Sequence, residues 1–392
     1  MQLTTLLPLA LASYAATQTQ GLTQVLASQN STLSMLNSLL ATQPALTKAL
    51  ASAQNITLLA PSNDAFSKFI SNPANKAIAS DSAALMGLLE YHVLTSTVPA
   101  SSFTTTMQFI PTMLMSSSSN STVNINTTLS NVTGGQVVGG VKSGSKVEVM
   151  SGLKEISTVQ TADIQFSGGV MHLIDTVLTL PIAPSMSVVD SSLTALAGAL
   201  KNTNLLTAVN SLKDVTIFAP SNAAFQAIGS AATTLTEQQL AGILEYHVIN
   251  GTVGYSSLLT TGLANESFPT LAGGEVKIEN VDGKVFVNSA QVTITDILVS
   301  NGVMHVINNV LNPSNTTATP IPTATTQPIA FTGVSSASNV PFTSGISATT
   351  TAPSAAMETA GSAKAAAGRV EGNIGAVGVA ALLGVVAAFL IW

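Results

Sequence analysis

The sequence predicts an α+β protein that contains two tandem copies of one domain. Two repeated phrases predict the duplication: LEYHV occurs at 89–93 and 244–248, and GGVMHLID at 168–175 is matched by NGVMHVIN at 301–308. In each copy, segments with helical spacing of apolar residues come first and segments with strand-like alternation follow, which is typical of the α+β class. All four histidines of the chain lie in these repeated phrases.

The helical part of each copy is predicted from leucine spacing and from capping residues. LSMLNSLLATQPALTKALASA, from 33 to 53, and LTALAGALKNTNLLTAVNSL, from 193 to 212, space their leucines for helices. ITLLAPSNDAF and VTIFAPSNAAF then predict a strand that ends at proline, followed by Ser-Asn as the cap of a helix whose first turn buries the phenylalanine. A second helix is predicted to lead into each LEYHV.

The strand part is clearest in the second copy. VKIENVDGKVFVN, from 276 to 288, alternates on both sides of Asp282-Gly283, which is a hairpin signal. VTITDIL and VMHVINNVL predict another pair of strands across Ser300-Asn301-Gly302. We therefore expect an antiparallel sheet that follows the helices.

Aligning the two copies defines the domain organisation. We predict a first domain at 19–181 and a second domain at 185–313. The first copy is longer, and its extra residues fall around 116–133, a Ser/Thr/Asn-rich stretch that predicts a glycosylated surface loop.

Composition excludes a nucleic-acid-binding protein. Charged residues make up only 8% of the chain, the formal net charge is −6, and Arg369 is the single arginine, so no basic surface for phosphate is expected. Cysteine is absent, so the fold must rest on core burial without disulfides. Ser, Thr and Asn take the place of charged residues, which predicts a surface kept soluble by neutral polar groups and sugars.

Both ends of the chain carry targeting signals. Residues 1–16 combine an apolar run with small residues, which predicts a secretory signal peptide, although no basic residue follows Met1. Residues 361–392 predict a glycosylphosphatidylinositol attachment signal, with Gly361 or Ser362 as the attachment residue and an apolar tail at 374–392. A membrane-spanning helix at this tail is the alternative, and it is disfavoured because no basic residue follows the tail.

The region before this signal predicts a glycosylated stalk. Residues 314–360 lose apolar periodicity and consist largely of Thr, Ser, Pro and Ala, which is typical of an extended, O-glycosylated segment. Candidate N-glycosylation sites occur at eight Asn-x-Ser/Thr sequons: Asn30, Asn55, Asn120, Asn126, Asn131, Asn250, Asn265 and Asn315.

The residues predict no catalytic or metal site. Each copy supplies two histidines on separate elements, with Glu90 or Glu245 two residues before the first, and no tight ligand spacing such as His-x-x-x-His occurs. A Gly-x-Ser-x-Gly elbow is also absent, and Asp175 of the first copy becomes Asn308 in the second. We expect no enzyme activity, no cofactor and no metal.

The histidines are instead interpreted as residues of the fold. In VMHVI, Val303, His305 and Ile307 share one face of a strand, so the imidazole lies among apolar neighbours. A buried imidazole must find partners for both nitrogens, which would join the strand to another element.

These phrases, in this order and found twice, resemble the signature of the fasciclin domain over roughly Thr19 to Asn312. The residues that carry the resemblance are Thr57, Pro61, Phe66 and His172 in the first copy and Thr216, Pro220, Phe225 and His305 in the second. The resemblance implies a wedge-shaped β-sheet with packed helices in each domain, in a secreted or surface-anchored protein linked to cell adhesion. The lack of plant-type Ala-Pro repeats favours a fungal surface glycoprotein.

The resemblance also implies candidate binding positions. Animal members of the family are linked to integrin contacts near Tyr-His and around an Asp-Ile pair. Here these positions fall on Tyr91, His92, Asp163 and Ile164 in the first copy and on Tyr246, His247, Asp296 and Ile297 in the second. An aspartate that closes a turn at a strand end is the structural alternative for the Asp-Ile pairs.

The expected function is non-catalytic binding in adhesion or in organisation of the cell wall or extracellular matrix. The alternative is a glycosylated spacer without a specific ligand. Expected partners are protein or glycan components of the surface, wall or matrix, the membrane through a lipid anchor, and other copies of the chain. The expected location is the cell surface, at the plasma membrane or in the wall.

Overall fold

The computed structural model describes residues 19–115, 130–316 and 318–348. The predicted signal peptide, the predicted lipid-attachment signal with Gly361 and Ser362, and the sequons at Asn120 and Asn126 lie outside these residues. Within the described ranges, no helix combines the length and the apolar character needed to cross a membrane.

Each copy begins with helices and ends with strands, which confirms the predicted α+β class. The helices are α1 (Leu22–Ser28), α2 (Asn30–Ala41), α3 (Pro44–Ser52), α4 (Asn63–Ser71), α5 (Lys76–Ser80) and α6 (Ser82–Tyr91) in the first copy, and α7 (Pro184–Asp190), α8 (Thr194–Asn202), α9 (Leu206–Ser211), α10 (Asn222–Ala227), α11 (Gly229–Ala232), α12 (Glu237–Glu245) and α13 (Ser256–Leu259) in the second. The strands are β1 (Ile56–Pro61), β2 (Val93–Leu94), β3 (Gln108–Pro111), β4 (Val137–Ser143), β5 (Lys146–Met150), β6 (Ile156–Phe166) and β7 (Gly169–Ile174), then β8 (Val215–Pro220), β9 (Val248–Asn250), β10 (Ser267–Pro269), β11 (Glu275–Val281), β12 (Lys284–Val287), β13 (Ala290–Val299) and β14 (Gly302–Ile307).

The helix after the first strand starts where the Ser-Asn pair predicts it. The hydroxyl of Ser62 accepts a hydrogen bond from the backbone N–H three residues later, and Ser221 does the same in the second copy. Asn63 reaches back instead, because its Oδ1 accepts the N–H of Met35 in α2 at 3.0 Å. Asn222 repeats this contact with α8. One residue of the pair caps the new helix, and the other attaches it to the opening helices.

The strands of each copy form a mixed seven-stranded sheet within the described residues. The order is β2-β1-β7-β6-β5-β4-β3 in the first copy and β9-β8-β14-β13-β12-β11-β10 in the second. Neighbours are antiparallel except for β1 with β7 and β8 with β14, which are parallel. The prediction of a purely antiparallel sheet is wrong at these pairs. The two strands of each pair are far apart in sequence, so the chain between them acts as the long connection that parallel pairing needs.

A glycine at the start of the last strand permits this parallel pairing. Gly169 and Gly302 have φ of 154° and 155°, and a Cβ atom on either would collide with the carbonyl oxygen of Ile56 or Val215 on the first strand. Only glycine leaves room for so close a backbone approach. This explains why glycine begins the Gly-Val-Met-His phrase in both copies.

The predicted hairpin of the second copy is confirmed. Asp282 and Gly283 have φ of 53° and 78° and connect β11 to β12, where Val281 pairs with Lys284. Positive φ at both central residues is the geometry of a tight two-residue hairpin turn.

The apolar core of each copy lies between the helices and the sheet. Phe66 and Leu88 are fully buried in the core of the first copy, and Phe225 and Ile243 hold the matched places in the second. Phe66 and Phe225, in the first turn after the Ser-Asn caps, are therefore buried as the sequence predicts.

The two copies also contact each other directly and lie within one compact unit. Phe109 of β3 stacks on Tyr255 of the second copy, with ring centroids 4.3 Å apart and planes 13° from parallel. Met150 of the first copy shares a buried cluster with Leu298 and Val303 of the second. The first copy thus covers one face of the second.

Part of the predicted stalk packs against the second copy, so the prediction of an extended segment is wrong for residues 327–346. Phe342 meets Phe225 edge to face with ring centroids 5.8 Å apart. The backbone N–H of Ala337 donates to the carbonyl oxygen of Gln226 at 3.0 Å. We call residues 327–346 the strap. A lack of periodicity excludes a helix or strand, but single apolar side chains can still fill separate sites on a neighbouring surface.

Candidate functional site

In each copy, three polar side chains hold one irregular segment in place. This segment follows β2 or β9 and covers residues 96–100 in the first copy and 252–256 in the second; we call it the pinned segment. Its anchors are a threonine on the first strand, a histidine on the last strand and an aspartate on the strand beside it. They are Thr57, His172 and Asp163 in the first copy and Thr216, His305 and Asp296 in the second.

The threonine makes two hydrogen bonds to the pinned segment. The hydroxyl of Thr57 donates to the carbonyl oxygen of Ser96 at 2.7 Å and accepts the N–H of Val98 at 2.8 Å. Thr216 repeats both bonds at 2.8 and 2.7 Å. Both threonines are fully buried, so each donor and acceptor must find its partner within the protein.

The histidine of the Gly-Val-Met-His phrase joins the pinned segment to the bulge of the neighbouring strand. Nε2 of His172 donates to the carbonyl oxygen of Val98 at 2.8 Å, while Nδ1 accepts the N–H of Asp163 at 3.1 Å. In the second copy, His305 makes the same bonds to Gly254 and Asp296. These partners fix the neutral tautomer that carries its proton on Nε2. The interpretation of these histidines as fold residues is consistent with both sets of contacts.

The aspartate of the Asp-Ile pair sits on a β-bulge and closes the arrangement. Asp163 and Asp296 adopt φ of 60° and 62° where the register of β6 and β13 shifts. Their carboxylates accept the N–H of Ala100 at 2.9 Å and of Ser256 at 2.8 Å. Both aspartates therefore have the structural role of holding a turn.

The other histidine of each copy ties a helix end to the segment after the last strand. Nδ1 of His92 donates to the carbonyl oxygen of Leu88 at 2.7 Å, and Nε2 accepts the N–H of Leu178 at 2.9 Å. His247 makes the matched bonds in the second copy. Burial lowers the pKa of His92 and of His247 to about 4, because a charged imidazole would lose its hydration.

The Tyr-His positions face the interior, which contradicts their expected role in direct partner contact. Tyr91 and Tyr246 are fully buried, and His92 and His247 are 3% and 2% exposed. The hydroxyl of Tyr91 donates to the carbonyl oxygen of Val137 at 2.9 Å, and the hydroxyl of Tyr246 donates to the carbonyl oxygen of Glu275 at 2.6 Å. In each copy, LEYHV joins the last long helix to the sheet, which explains why the phrase occurs twice in the chain.

The Asp-Ile positions differ between the copies. Asp163 is exposed and Ile164 partly buried, whereas Asp296 and Ile297 are 3% and 1% exposed. The expectation of a binding role is therefore contradicted at the second pair. Lys154 of the first copy lies beside Asp296, whereas Ile297 belongs to the core of the second copy itself.

Sequence comparison of the copies contains a signal for this burial that the sequence analysis missed. Tyr255 and Leu298 of the covered face correspond, by the register of the repeat, to Pro99 and Gln165 in the first copy. Large apolar residues at positions that are smaller or polar in the other copy indicate a face with a neighbour.

A partly buried lysine lies beside the covered Asp296. Nζ of Lys154 donates to the carbonyl oxygen of Thr295 at 2.7 Å across the contact between the copies. Burial lowers the pKa of Lys154, while the nearby carboxylate of Asp296 raises it. Burial likewise lowers the pKa of His305, opposed by the same carboxylate. The charges of lysine and aspartate therefore offset each other where water is largely excluded.

One sequon takes part in the contact between the copies. Nδ2 of Asn131 donates to the carbonyl oxygen of Leu212 at 2.7 Å, and the N–H and hydroxyl of Thr133 both donate to the carboxylate of Asp214 at 2.6 Å. The stretch predicted to be a glycosylated loop therefore ends at two residues that bond to the second copy. We call Asn131 and Thr133 the clamp.

The remaining described sequons fall into two groups. Nδ2 of Asn315 donates to the carbonyl oxygen of Ala330 at 2.9 Å, so this asparagine is tied to the strap. Four sequon asparagines are exposed: Asn30, Asn55, Asn250 and Asn265.

The described residues contain no group of three or more His, Cys, Asp or Glu side chains that could hold a metal ion. Each histidine nitrogen named above is bonded to a backbone group, so none is free to act as a ligand or a base without breaking a contact of the fold.

Comparisons with known proteins agree with this architecture. A family model described as Fasciclin domain matches residues 31–181 and 191–313. A fasciclin-like arabinogalactan protein of Arthroderma benhamiae is 37% identical over 316 residues, which are 80% of this chain and 72% of that protein. Transforming growth factor-beta-induced protein ig-h3 of Sus scrofa is 33% identical over 165 residues, 41% of this chain and 23% of that protein. A solved FAS1 domain pair from the insect cell adhesion molecule fasciclin I is 19% identical, with a TM-score of 0.34, and covers 72% of this chain and 98% of that chain.

Replacing His172 or His305 with alanine should destabilise the copy that contains it. The change leaves the carbonyl of the pinned segment and the N–H of the bulge without partners and opens a cavity, so we expect a loss of about 2–4 kcal/mol in the free energy of unfolding. Chemical denaturation of each variant measures this. Gln165→Ala, at an exposed position of β6, is the control. Unchanged stability in the histidine variants would refute their role as anchors.

Stability should fall as the pH drops from about 6.5 to about 4. The unfolded chain protonates both His92 and His247 near their ordinary pKa of 6.5, but the folded chain does so only near 4. The unfolded state therefore binds more protons in this window, and each residue contributes about 3 kcal/mol of stability at neutral pH that is lost by pH 4. Denaturant titrations at a series of pH values test this, and a His92→Gln, His247→Gln double variant should show a shallower slope.

Sugar occupancy should differ among the sequons. In a eukaryotic secretory host, we expect glycans on the exposed Asn30, Asn55, Asn250 and Asn265 but not on Asn131, because a sugar on its Nδ2 would force the copies apart. Glycopeptide mass spectrometry of the folded secreted protein measures each site. Full occupancy of Asn131 in protein that retains the contact between the copies would contradict the clamp.

Proposed function

The chain belongs to the fasciclin domain family, and we propose that it acts by non-catalytic binding at the cell surface, in adhesion or in organisation of the wall or matrix. The observation that carries this proposal is the unequal exposure of a duplicated motif. The fold buries the polar groups of Tyr-His in both copies and the Asp-Ile pair of the second, yet leaves Asp163 exposed on a rigid bulge. A fixed, solvent-facing carboxylate is suited to recognition without chemistry.

Family resemblance supports the same class of function. Relatives from Arthroderma benhamiae and Cercospora beticola are named fasciclin-like arabinogalactan proteins. We propose that this chain is secreted, glycosylated and held at the plasma membrane or wall by the lipid signal predicted at 361–392. The proposed partners are protein or glycan components of the surface, wall or matrix, or a second copy of the chain.

A spacer role is the second candidate. Four described sequons are exposed, and charged residues make up only 8% of the chain. Such a molecule can keep a surface hydrated and separated without recognising one ligand. Specific adhesion differs from this because it saturates and depends on individual exposed residues.

Bead adhesion distinguishes the two candidates. The secreted ectodomain, residues 17–360, is coated on beads and tested for saturable binding to cells and wall fractions of the producing organism. Asp163→Asn keeps the hydrogen bond to Ala100 but removes the exposed charge, and should weaken binding about tenfold, which equals about 1.4 kcal/mol. Asp282→Asn, which removes an exposed carboxylate at a positive-φ position of the second copy, is the matched control and should leave bead adhesion unchanged.

The outcomes separate the candidates. Saturable binding that both variants retain would show adhesion through another face and would reject Asp163 as the site. Absence of saturable binding by a folded, glycosylated ectodomain would reject specific adhesion and favour the spacer.

A further inference from the structure

An open cavity lies beside the helices of the first copy, and Met186, Asp190 and Ser300 of the second copy complete its wall. The cavity has a volume of about 470 Å³ and lies between α4, the segment after β7 and the start of α7. Its apolar wall includes Phe69, Ile78, Val177 and Met186. A volume of this size is in the range of ligand-binding clefts, about 300–1,000 Å³. We call it the first groove.

The strap covers the equivalent place in the second copy. By the register of the repeat, Thr176 and Thr179 of the first groove correspond to Asn309 and Asn312. Nδ2 of Asn309 donates to the carbonyl oxygen of Pro328 at 2.9 Å, and Nδ2 of Asn312 donates to that of Ala330 at 3.1 Å. The second copy therefore shows what kind of chain fits this part of the fold.

Apolar side chains of the strap complete the contact. Phe331 and Val334 pack against the core cluster that contains Ile228 and Val310, the counterparts of Phe69 and Val177. The strap has no charged residue, and its backbone is irregular. The strap therefore presents one aromatic side chain flanked by small residues, and its backbone carbonyls accept hydrogen bonds.

The two copies differ at the end of α4 and at the matching position, where α11 starts. A Cβ atom on Gly229 would collide with Ala337 of the strap, whereas the first copy has Ile70 at the equivalent position, 46% exposed. The first copy therefore cannot take the whole length of a strap along the same path. Only the part equivalent to the site of residues 328–334 is open.

The first groove also carries polar groups at its rim. Lys68 takes the place of Ala227, and Glu155 lines the opposite side. Burial raises the pKa of Glu155, since its carboxylate has left part of its hydration. These groups can donate to, or accept from, the backbone of a bound chain.

We propose that the first groove binds a short, uncharged, extended segment of a partner protein, with one aromatic side chain in the cavity and small or hydroxyl residues on either side. The strap of the same chain already occupies the second copy, so the occupant of the first groove comes from a different protein. This inference deepens the proposed adhesion function by naming the chemistry of its partner, and it rests on that function.

A synthetic peptide copied from the strap provides the probe. The capped peptide QPIAFTGV, residues 327–334, is titrated into the full ectodomain by calorimetry. We expect saturable binding that weakens at least tenfold when the peptide carries Phe331→Ala. Met186→Trp, which fills the mouth of the groove from a side chain 37% exposed, should also weaken binding at least tenfold. Leu258→Trp, at a similarly exposed position of α13, is the control and should bind normally.

Several outcomes would overturn the proposal. They are absence of binding at about 1 mM peptide, equal binding of the two peptides, or equal binding by a Met186→Trp chain that melts like the wild type. Self-association of the wild-type ectodomain in sedimentation experiments, abolished by Met186→Trp, would show that the occupant is a second copy rather than a different protein.

Bead adhesion and peptide binding fail separately. Loss of peptide binding with bead adhesion intact rejects the groove but leaves the proposed function in place. Peptide binding without any bead adhesion rejects the proposed function while the groove remains a binding site.

Discussion

The pinned segment is the constraint on which each copy of the domain depends. A stretch without regular structure is for the most part half-buried, and its inward-facing backbone groups need partners within the protein. A threonine, a histidine and an aspartate from three different strands supply those partners, so the segment joins three strands of the sheet. With no disulfide in the chain, this polar network and the apolar core share the task of specifying one fold.

The contact between the copies explains why two similar domains do not behave alike. Phe109 of the first copy corresponds to Ser267 in the second, since β3 and β10 both end at an equivalent proline. The covered face of the second copy likewise has polar or smaller counterparts in the first. A contact of this head-to-tail kind could continue indefinitely if both copies kept both faces apolar. The replacement of large apolar residues ends the series after one contact, and this limits assembly through these faces.

Much of the fold could be predicted from the sequence, because short-range rules control it. Leucine spacing predicts the opening helices, Ser62 and Ser221 predict a helix start, and Asp282-Gly283 predicts a hairpin. The parallel pairing of β1 with β7 could not be predicted, because it depends on a long-range return of the chain. The strap was missed for a related reason: its apolar residues have no period, and their partners are about 100 residues away. At the candidate site, the residues of the duplicated motifs were identified but not their exposure, because Tyr-His packs into the core of its own copy and Asp296 lies beside Lys154 of the other copy.

The strap also changes the geometry of attachment. A chain that left the second copy at Pro313 and carried a lipid at Gly361 would have a tether of nearly fifty residues, with a contour length of about 160 Å. Because residues 327–346 lie on the second copy, only thirteen residues, 349–361, separate the described part of the chain from the proposed lipid, and thirteen residues span at most about 40 Å. A protein attached through the proposed lipid by so few residues would sample a thin layer above the membrane. Its binding faces would meet partners within that layer at high local concentration and would reach few partners beyond it.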